Sequence, residues 1–413
     1  MIQLELPEHL QQASDNAHLA AEHFFRPLSR KYDRAEHQEP VELKEFGRVT
    51  QKAMEKTSAQ VDKVDKVDKK TPAPAASKET SSNKNGRNML TVLAVEQLCW
   101  GDVGLMLARP GQGLGNAAVA AVGSDDQRAK WGSQFVAMAI TEPQAGSDSK
   151  NIATTAVQKE DHWVLNGEKI FVTDGARCEA VVVWATVDKK LGKSGIRSFI
   201  VPTGTPGMEV TRLEHKLGIR ASDTASIQFT DCTVPLNQLL GSAPEQKNKA
   251  ESAKGFGGVM QTFDNTRPIV AAMAVGCARA ALEMTRELLE SEGISLDYNR
   301  ASANQSSISD QLLEMEADWE AARLLTLKAA WMMDNKKPNS MEASMAKAKA
   351  GRTATDICLK CVSLCGITAY SEQHLLEKFA RDAKILDIFE GTQQIQQLVI
   401  ARRLLKRSSQ ELK

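Results

Sequence analysis

The sequence carries no charge excess of either sign: Lys plus Arg number 52, and so do Asp plus Glu, in 413 residues. That argues against a nucleic-acid binder, whose affinity needs a basic surplus. No apolar run approaches the ~18 residues needed to cross a bilayer, so no membrane span is expected. The opening Met1–His9, MIQLELPEH, lacks a basic segment followed by an apolar core, so no secretory signal is expected either. The seven cysteines are scattered and odd in number. With no signal, this implies reduced thiols and a cytoplasmic location. No metal centre is expected: Cys358, Cys361 and Cys365 share one helix face with no fourth ligand near, and read as buried thiols. Gly111-x-Gly-x-Gly115 lacks the strand–turn–helix setting of a dinucleotide fingerprint and reads as a flexible loop. His162 and His215 have no evident partners and are assigned no role.

What is present is the material of an ordinary globular protein, with 42% apolar and 25% charged residues. The length allows two or three domains. Residues 1–134 read as an N-terminal helical domain, with Leu10, Ala13, Ala17, Leu19 and Phe24 near helical spacing and a break at Pro27. Within it, 57–87 repeats Val-Asp-Lys and then runs through Lys, Ser, Pro and Ala. It offers nothing large to bury and reads as a mobile insertion. Residues 135–245 read as a middle β domain. Its strongest local signal is His162–Val172, expected as a hairpin turning at Asn166-Gly167. Short β-rich runs follow at 179–186, 198–202 and 226–229. Residues 246–413 are helical again and read as a four-helix bundle. The fold class is therefore α+β: helices, sheet, helices.

Four passages could carry chemistry. Ala139-Ile-Thr-Glu-Pro-Gln-Ala-Gly-Ser-Asp148 makes a tight polar loop that can offer N–H groups and the Thr141 and Ser147 hydroxyls. Taken alone, a surface turn explains it more simply. In Gly167–Gly175, Phe171 and Thr173 lie two apart and share one strand face. An aromatic plate beside a hydroxyl suits a flat heterocycle, although a core Phe with a neighbouring Thr is the commoner case. In Phe263-Asp-Asn-Thr-Arg-Pro268, Asp264 and Arg267 share a helix face. They could hold an amide-and-phosphate ligand or form a weak surface ion pair. In Arg381–Gln396, Glu390-Gly391-Thr392 interrupts a helical pattern. A carboxylate at such a break beside Phe389 can be desolvated, as a general base requires, or can simply cap the next helix.

These passages occur in the order and at about the spacing of the acyl-CoA dehydrogenase family. AITEPQAGSD resembles the family's TEPxAGSD, NGEKIFVTDG resembles NGxKxxITNG, and FDNTRP and IFEGTQQIQ match two further segments nearly letter for letter. The likeness runs from about Leu98 to Leu405. It implies the family's three-part fold and FAD as cofactor. It places Met138, Ile140, Thr141, Gly146, Ser147, Phe171, Val172, Thr173 and Thr392 against the flavin. Ser147, Asp264, Arg267 and Gly391 fall against acyl-CoA, and Glu390 falls on the catalytic base. Met138 and Phe171 stand where the family often has an aromatic and a Trp, which alters flavin packing. The implied reaction removes the α-proton of the thioester to Glu390 and the β-hydrogen as hydride, giving trans-2-enoyl-CoA. Electrons pass to an electron-transfer flavoprotein. An oxidase using oxygen and a non-catalytic scaffold subunit are the alternatives.

Two departures fall together. The family's Arg-x-x-Phe-Gly, which reaches the FAD of a neighbouring subunit, is replaced by Ser295-Leu-Asp-Tyr-Asn299. Its Gln-x-x-Gly-Gly loop is replaced by Ser363-Leu-Cys-Gly-Ile367. The half-site for this chain's own flavin is intact, while the half donated to a partner is altered. This implies a hetero-oligomer of two related chains, α2β2, with a homotetramer as the alternative.

Overall fold

The protein is described by a computed structural model covering residues 6–44, 47, 85–109, 111, 113–241, 254–408 and 411, with 254–264 as helical backbone only. The insertion expected at 57–87 lies outside the described residues up to 84, as does the side chain of Asp264. The chain opens with α1 (Glu8–Ala20), a π-turn (Ala21–Phe25) and α2 (Arg26–Arg34). Pro27 does not break this run: it falls where the π-turn passes into α2, and the backbone before it stays helical, with Phe25 at φ −76° and Arg26 at φ −59°. Next come α3 (Arg87–Gly101), α4 (Val103–Leu107), α5 (Leu114–Val122) and α6 (Asp125–Trp131). Helix α6 starts on a capping box: the Ser124 hydroxyl accepts from Gln127 N at 3.2 Å, and Gln127 Oε1 accepts from Ser124 N at 3.0 Å.

Seven strands form one sheet: β1 (Val136–Ala139), β2 (Thr155–Gln158), β3 (His162–Thr173), β4 (Ala180–Thr186), β5 (Ile196–Pro202), β6 (Met208–Leu213) and β7 (Thr224–Pro235). Their order is β1-β4-β2-β3-β7-β6, with β5 also on β4. Strand β4, AVVVWAT, is buried along its whole length, as expected of an apolar run covered on both faces. Val181, Val183 and Ala185 enter one core, and Ala180, Val182 and Trp184 enter the other.

The expected hairpin at Asn166-Gly167 is not there. Strand β3 runs straight through both residues, and the turn precedes it, where Lys159 N donates to His162 O at 2.8 Å. Gly167 has φ 148° and marks a register shift against β7. A Cβ there would lie 2.5 Å from Thr154 Oγ1. The positive φ that suggested a turn serves a bulge instead. Nor is 111–115 simply a loop. Gly113 precedes α5 and Gly115 lies inside it, pressed so closely on β1 that a Cβ on Gly115 would meet Ala137 O at 2.3 Å.

The C-terminal part consists of α7 (Lys254–Ser291), α8 (Ser307–Asp334), α9 (Ser340–Tyr370), α10 (Leu376–Leu386) and α11 (Gln393–Leu405). It shares a single apolar core with the N-terminal helices, where Leu93 and Leu98 of α3 join Ala271, Ala274, Ala350, Ala354 and Leu386. The stretch Asn265–Ser291 is long and apolar enough to cross a membrane, contrary to the expectation from apolar runs. However, 78% of its most apolar window is buried inside this core. The three parts meet at a buried cation. Lys378 Nζ lies 2.6 Å from Asp102 Oδ2 and 2.5 Å from Asp382 Oδ2, while Asp382 also accepts from Ile219 N of the β6–β7 loop.

Candidate active site

Helix α10 ends at Leu386 and α11 begins at Gln393, and Glu390 stands in the turn between them with φ 57°. That left-handed conformation is uncommon for a residue with a side chain and is retained where the surroundings hold it. Two buried contacts hold this turn. Gln396 Nε2 donates to Glu390 O at 2.9 Å and Gly391 O at 3.2 Å. Lys347 Nζ, from α9, donates to Gly391 O at 2.7 Å. Thr392 caps α11, its hydroxyl accepting from Ile395 N at 3.4 Å, so the capping reading holds for Thr392 while leaving the carboxylate beside it available.

The Glu390 carboxylate accepts a hydrogen bond from Thr266 Oγ1 of α7 at 2.8 Å. Burial pushes its pKa above the usual carboxylate value; the Thr266 hydroxyl and the nearby Arg267 and Lys347 cations pull the other way and do not win. Lys347 is itself lowered to about 8 by burial. A carboxylate poised in this way is a stronger base than one in water. Arg267 is 2% exposed, so it is not half of a surface ion pair, and its Nη1 lies 3.3 Å from Ser344 Oγ of α9. A cleft of about 520 Å³ opens beside Thr266, walled by Asn88, Ala117, Asn265, Ile269 and Asn339.

A second cluster lies on the sheet. The loop after β1 is clamped by a buried ion pair: Lys169 Nζ donates to Glu142 Oε1 at 2.7 Å and to Ile140 O at 2.9 Å. Glu142 also accepts from the N–H groups of Ala153 and Thr154. Thr141 O accepts from Ile170 N at 2.9 Å, which sets Thr141 beside Phe171. Met138 and Ile140 are half-buried against the core under β1, while Gly146 and Ser147 are exposed. Phe171 is 58% exposed at φ 57°, Val172 is buried, and Thr173 is half-buried. Ile170 and Val172 are buried while Phe171 is exposed and Thr173 half-buried, across an irregularity of β3 between Lys169 and Val172 at which Phe171 takes its left-handed conformation. An exposed aromatic plate beside a clamped loop fits a flat heterocycle such as FAD, and the open Gly146–Ser147 turn leaves room for its chain.

The site residues therefore fall into two groups, one on β1–β3 and one at the α10–α11 junction. Thr266, Ser344, Lys347 and Gln396 were missed from sequence. Thr266 and Gln396 lie within the quoted motifs, but Lys347 sits in an Ala- and Lys-rich helix without a local signal. His215 and His162 also have partners after all: Glu36 at 2.9 Å and Asp161 at 2.6 Å.

A helix–sheet–helix chain with a clamped polar loop, an aromatic plate and a desolvated carboxylate in a helix break is the framework of a flavin-dependent dehydrogenase. Family models agree: residues 137–232 match the acyl-CoA dehydrogenase middle domain and residues 253–405 the acyl-CoA dehydrogenase C-terminal domain. The chain is 38% identical over 290 residues to the mitochondrial short-chain specific acyl-CoA dehydrogenase of Rattus norvegicus, covering 69% of this chain and 68% of that one. It is 34% identical over 330 residues to the caffeyl-CoA reductase-Etf complex subunit CarC of Acetobacterium woodii, covering 78% and 84%. The butyryl-CoA dehydrogenase of Megasphaera elsdenii superposes with a TM-score of 0.80 at 29% identity, over 98% of this chain and 100% of that one. The chain belongs to the acyl-CoA dehydrogenase family of FAD-dependent enzymes.

Proposed function

We propose that this chain oxidises a short acyl-CoA thioester to its trans-2-enoyl-CoA, with Glu390 as the base. The observation that carries this reading is the Glu390 carboxylate at a helix break, hydrogen-bonded by Thr266, a residue that also lines the neighbouring cleft. Glu390 takes the α-proton onto its carboxylate as the β-hydrogen leaves with its electron pair. FAD, when bound along Met138, Ile140, Thr141, Gly146, Ser147, Phe171, Val172 and Thr173, supplies the acceptor for that hydride. The protein's part is to position and to desolvate. Lys347 and Gln396 fix the Glu390-Gly391 turn through its carbonyls, so the base meets the substrate in one orientation. Arg267 and Lys347 place positive charge near Glu390, where negative charge develops on the thioester. Asp264, Ser147 and Gly391 complete the substrate contacts in this reading. The short-chain names of several relatives support a short acyl group, and the Etf complex named for one relative supports an electron-transfer flavoprotein as acceptor.

We further propose that the working enzyme pairs this chain with a related one, in an α2β2 assembly. The support is that Ser295–Asn299 and Ser363–Ile367 lack the Arg, Gln and glycines a neighbour's flavin would need, whereas this chain's own flavin side is intact. The test of the chemistry is Glu390→Gln, assayed with butyryl-CoA and a dye acceptor. The amide cannot accept the proton, so turnover is expected to fall about 10²- to 10⁴-fold while flavin and acyl-CoA binding persist. Wild-type turnover in that variant would refute the assignment.

A further inference from the structure

Three side chains outside that site converge where the N-terminal helices meet the sheet. Glu36 and His37 follow α2, and His215 follows β6. One donor atom from each lies within 4.8 Å of the others. Consecutive side chains usually diverge, but His37 adopts a left-handed φ of 71°, and a donor atom of its ring lies within 4.8 Å of a Glu36 carboxylate oxygen. Strain of this kind persists where the surroundings enforce it, and it clusters at binding sites. Both ring nitrogens of His37 are closed off from solvent and have no hydrogen-bond partner among the described residues. Buried nitrogens left in this state are unfavourable, and one of them has its lone pair to give. The two imidazole rings stand 4.8 Å apart at 60°. Glu36 is held from the other side, its Oε1 accepting from Lys216 N at 2.8 Å.

We propose that Glu36, His37 and His215 form a binding site for a divalent transition-metal ion of the zinc type. Two imidazoles and a carboxylate are a donor set that such ions favour, and three protein ligands leave one position for water. Tetrahedral donors at zinc distances lie about 3.4 Å apart, so the site must close by about an ångström. His215 can supply that movement, because its side chain is 84% exposed. Its Nδ1 now lies 2.9 Å from Glu36 Oε2, and a bound ion would replace this contact with two metal bonds. Lys216, Arg177 and Arg220 bring positive charge to the surroundings, and Asp223 brings negative charge. The excess of cations makes the site weaker than a closed four-ligand one. Its role is to fasten: the ion would join the segment after α2 to the β6–β7 loop. Arg177 Nη2, 3.4 Å from His37 O, already ties that segment to the sheet.

The test uses the full-length flavoprotein. Zn²⁺ is titrated against a chromogenic chelator, and Co²⁺ is added separately to read its visible four-coordinate absorption bands. One ion per chain is expected, with a rise in melting temperature on adding Zn²⁺. His215→Ala, which removes an exposed side chain, is expected to weaken binding about 100-fold or more and to abolish that rise while melting like wild type without metal. If His215→Ala binds as well as wild type, or wild type binds no ion at about 100 μM Zn²⁺, the proposal is wrong and the cluster is a Glu–His ion pair. His37→Gln serves as a second arm: unchanged affinity there would remove His37 from the site and overturn the three-ligand assignment.

Discussion

At the scale of single residues, one hydroxyl hydrogen-bonds the base and helps to tune it. Burial raises the Glu390 pKa and the Thr266 hydrogen bond restrains it. A base works when ionised, so activity is expected to rise with pH through that raised value. Thr266→Val removes the restraint, and the acid limb of the kcat/KM profile should move to higher pH. A limb that stays in place would mean that Thr266 does not govern the base. A second pair of residues titrates in the opposite sense to most carboxylates. Asp174 and Asp223 face each other in the core, and Asp174 is raised well above its ordinary value by burial and by the neighbouring Asp223. Asp223 is raised by burial but held down by Arg177 and by the N–H of Ala176, so Asp174 is the one that keeps the proton. Because the folded pKa lies above the unfolded one, the native state binds the extra proton. The stabilisation is full below the ordinary carboxylate range and is lost as pH rises through the raised value. Asp174 also adopts φ 58°, which Asn tolerates well. Asp174→Asn, the residue the resembled motif carries, should therefore raise the melting temperature more at pH 8 than at pH 5. An equal shift at both would refute the shared proton.

At the scale of elements, the flavin-side loop depends on one buried pair joining β1 to β3. Lys169, lowered to about 8 by burial, has no solvent exposure, and Glu142 is 4% exposed. Lys169→Met leaves Glu142 as an unpaired buried charge and frees Ile140 O, which should cost about 3–5 kcal/mol. Urea unfolding should show that loss, and flavin should dissociate more readily. Glu142→Gln in the same chain should recover part of it, and no recovery would mean the damage is steric. This pair was invisible to a reading of the sequence because its partners lie 27 residues apart. Other elements were legible. Strand β4 announced itself by its apolar run, and the break at Glu390-Gly391 by its glycine. The Asn166-Gly167 turn was misread because a bulge and a type I′ turn both ask for positive φ, and the dipeptide alone does not distinguish them. Strand β6 was missed because it is largely exposed along its length and carries no clean alternation. Lys347 reaches Gly391 from α9, 44 residues away, and nothing local marks it.

At the scale of the whole molecule, the question is what covers the far ends of α9 and α11. Ile367 is 80% exposed, Tyr370 75%, and Leu404 and Leu405 60% each. Large apolar side chains gathered near two helix ends are the material of an interface. Ile367 lies in the segment Ser363–Ile367, which by the resemblance would stand where a glycine loop is donated to a neighbour's flavin. There α9 kinks at Gly366, with φ 56°. In the heteromeric reading, Ile367 carries a branched side chain where a backbone N–H would have to approach a phosphate, and Ser295 stands where a guanidinium would fork onto a pyrophosphate, while Tyr298, at the aromatic position, is hydrogen-bonded to Glu316. A homo-oligomer would then repeat the same defect at every flavin. A related chain that retains the donated Arg, Gln and glycines would repair it, and that chain would need no flavin of its own. The expected outcome is one FAD per two chains in the active assembly, measured as flavin absorbance against total protein after co-purification with the product of a related gene. Restoring the donated motif should report the same defect from the other side: Tyr298→Phe with Asn299→Gly, plus Ile367→Gly and an Arg at Ser295, should increase flavin retention in this chain alone. One FAD per chain in a stable, active assembly of the unaltered chain by itself would rule out the heteromeric enzyme.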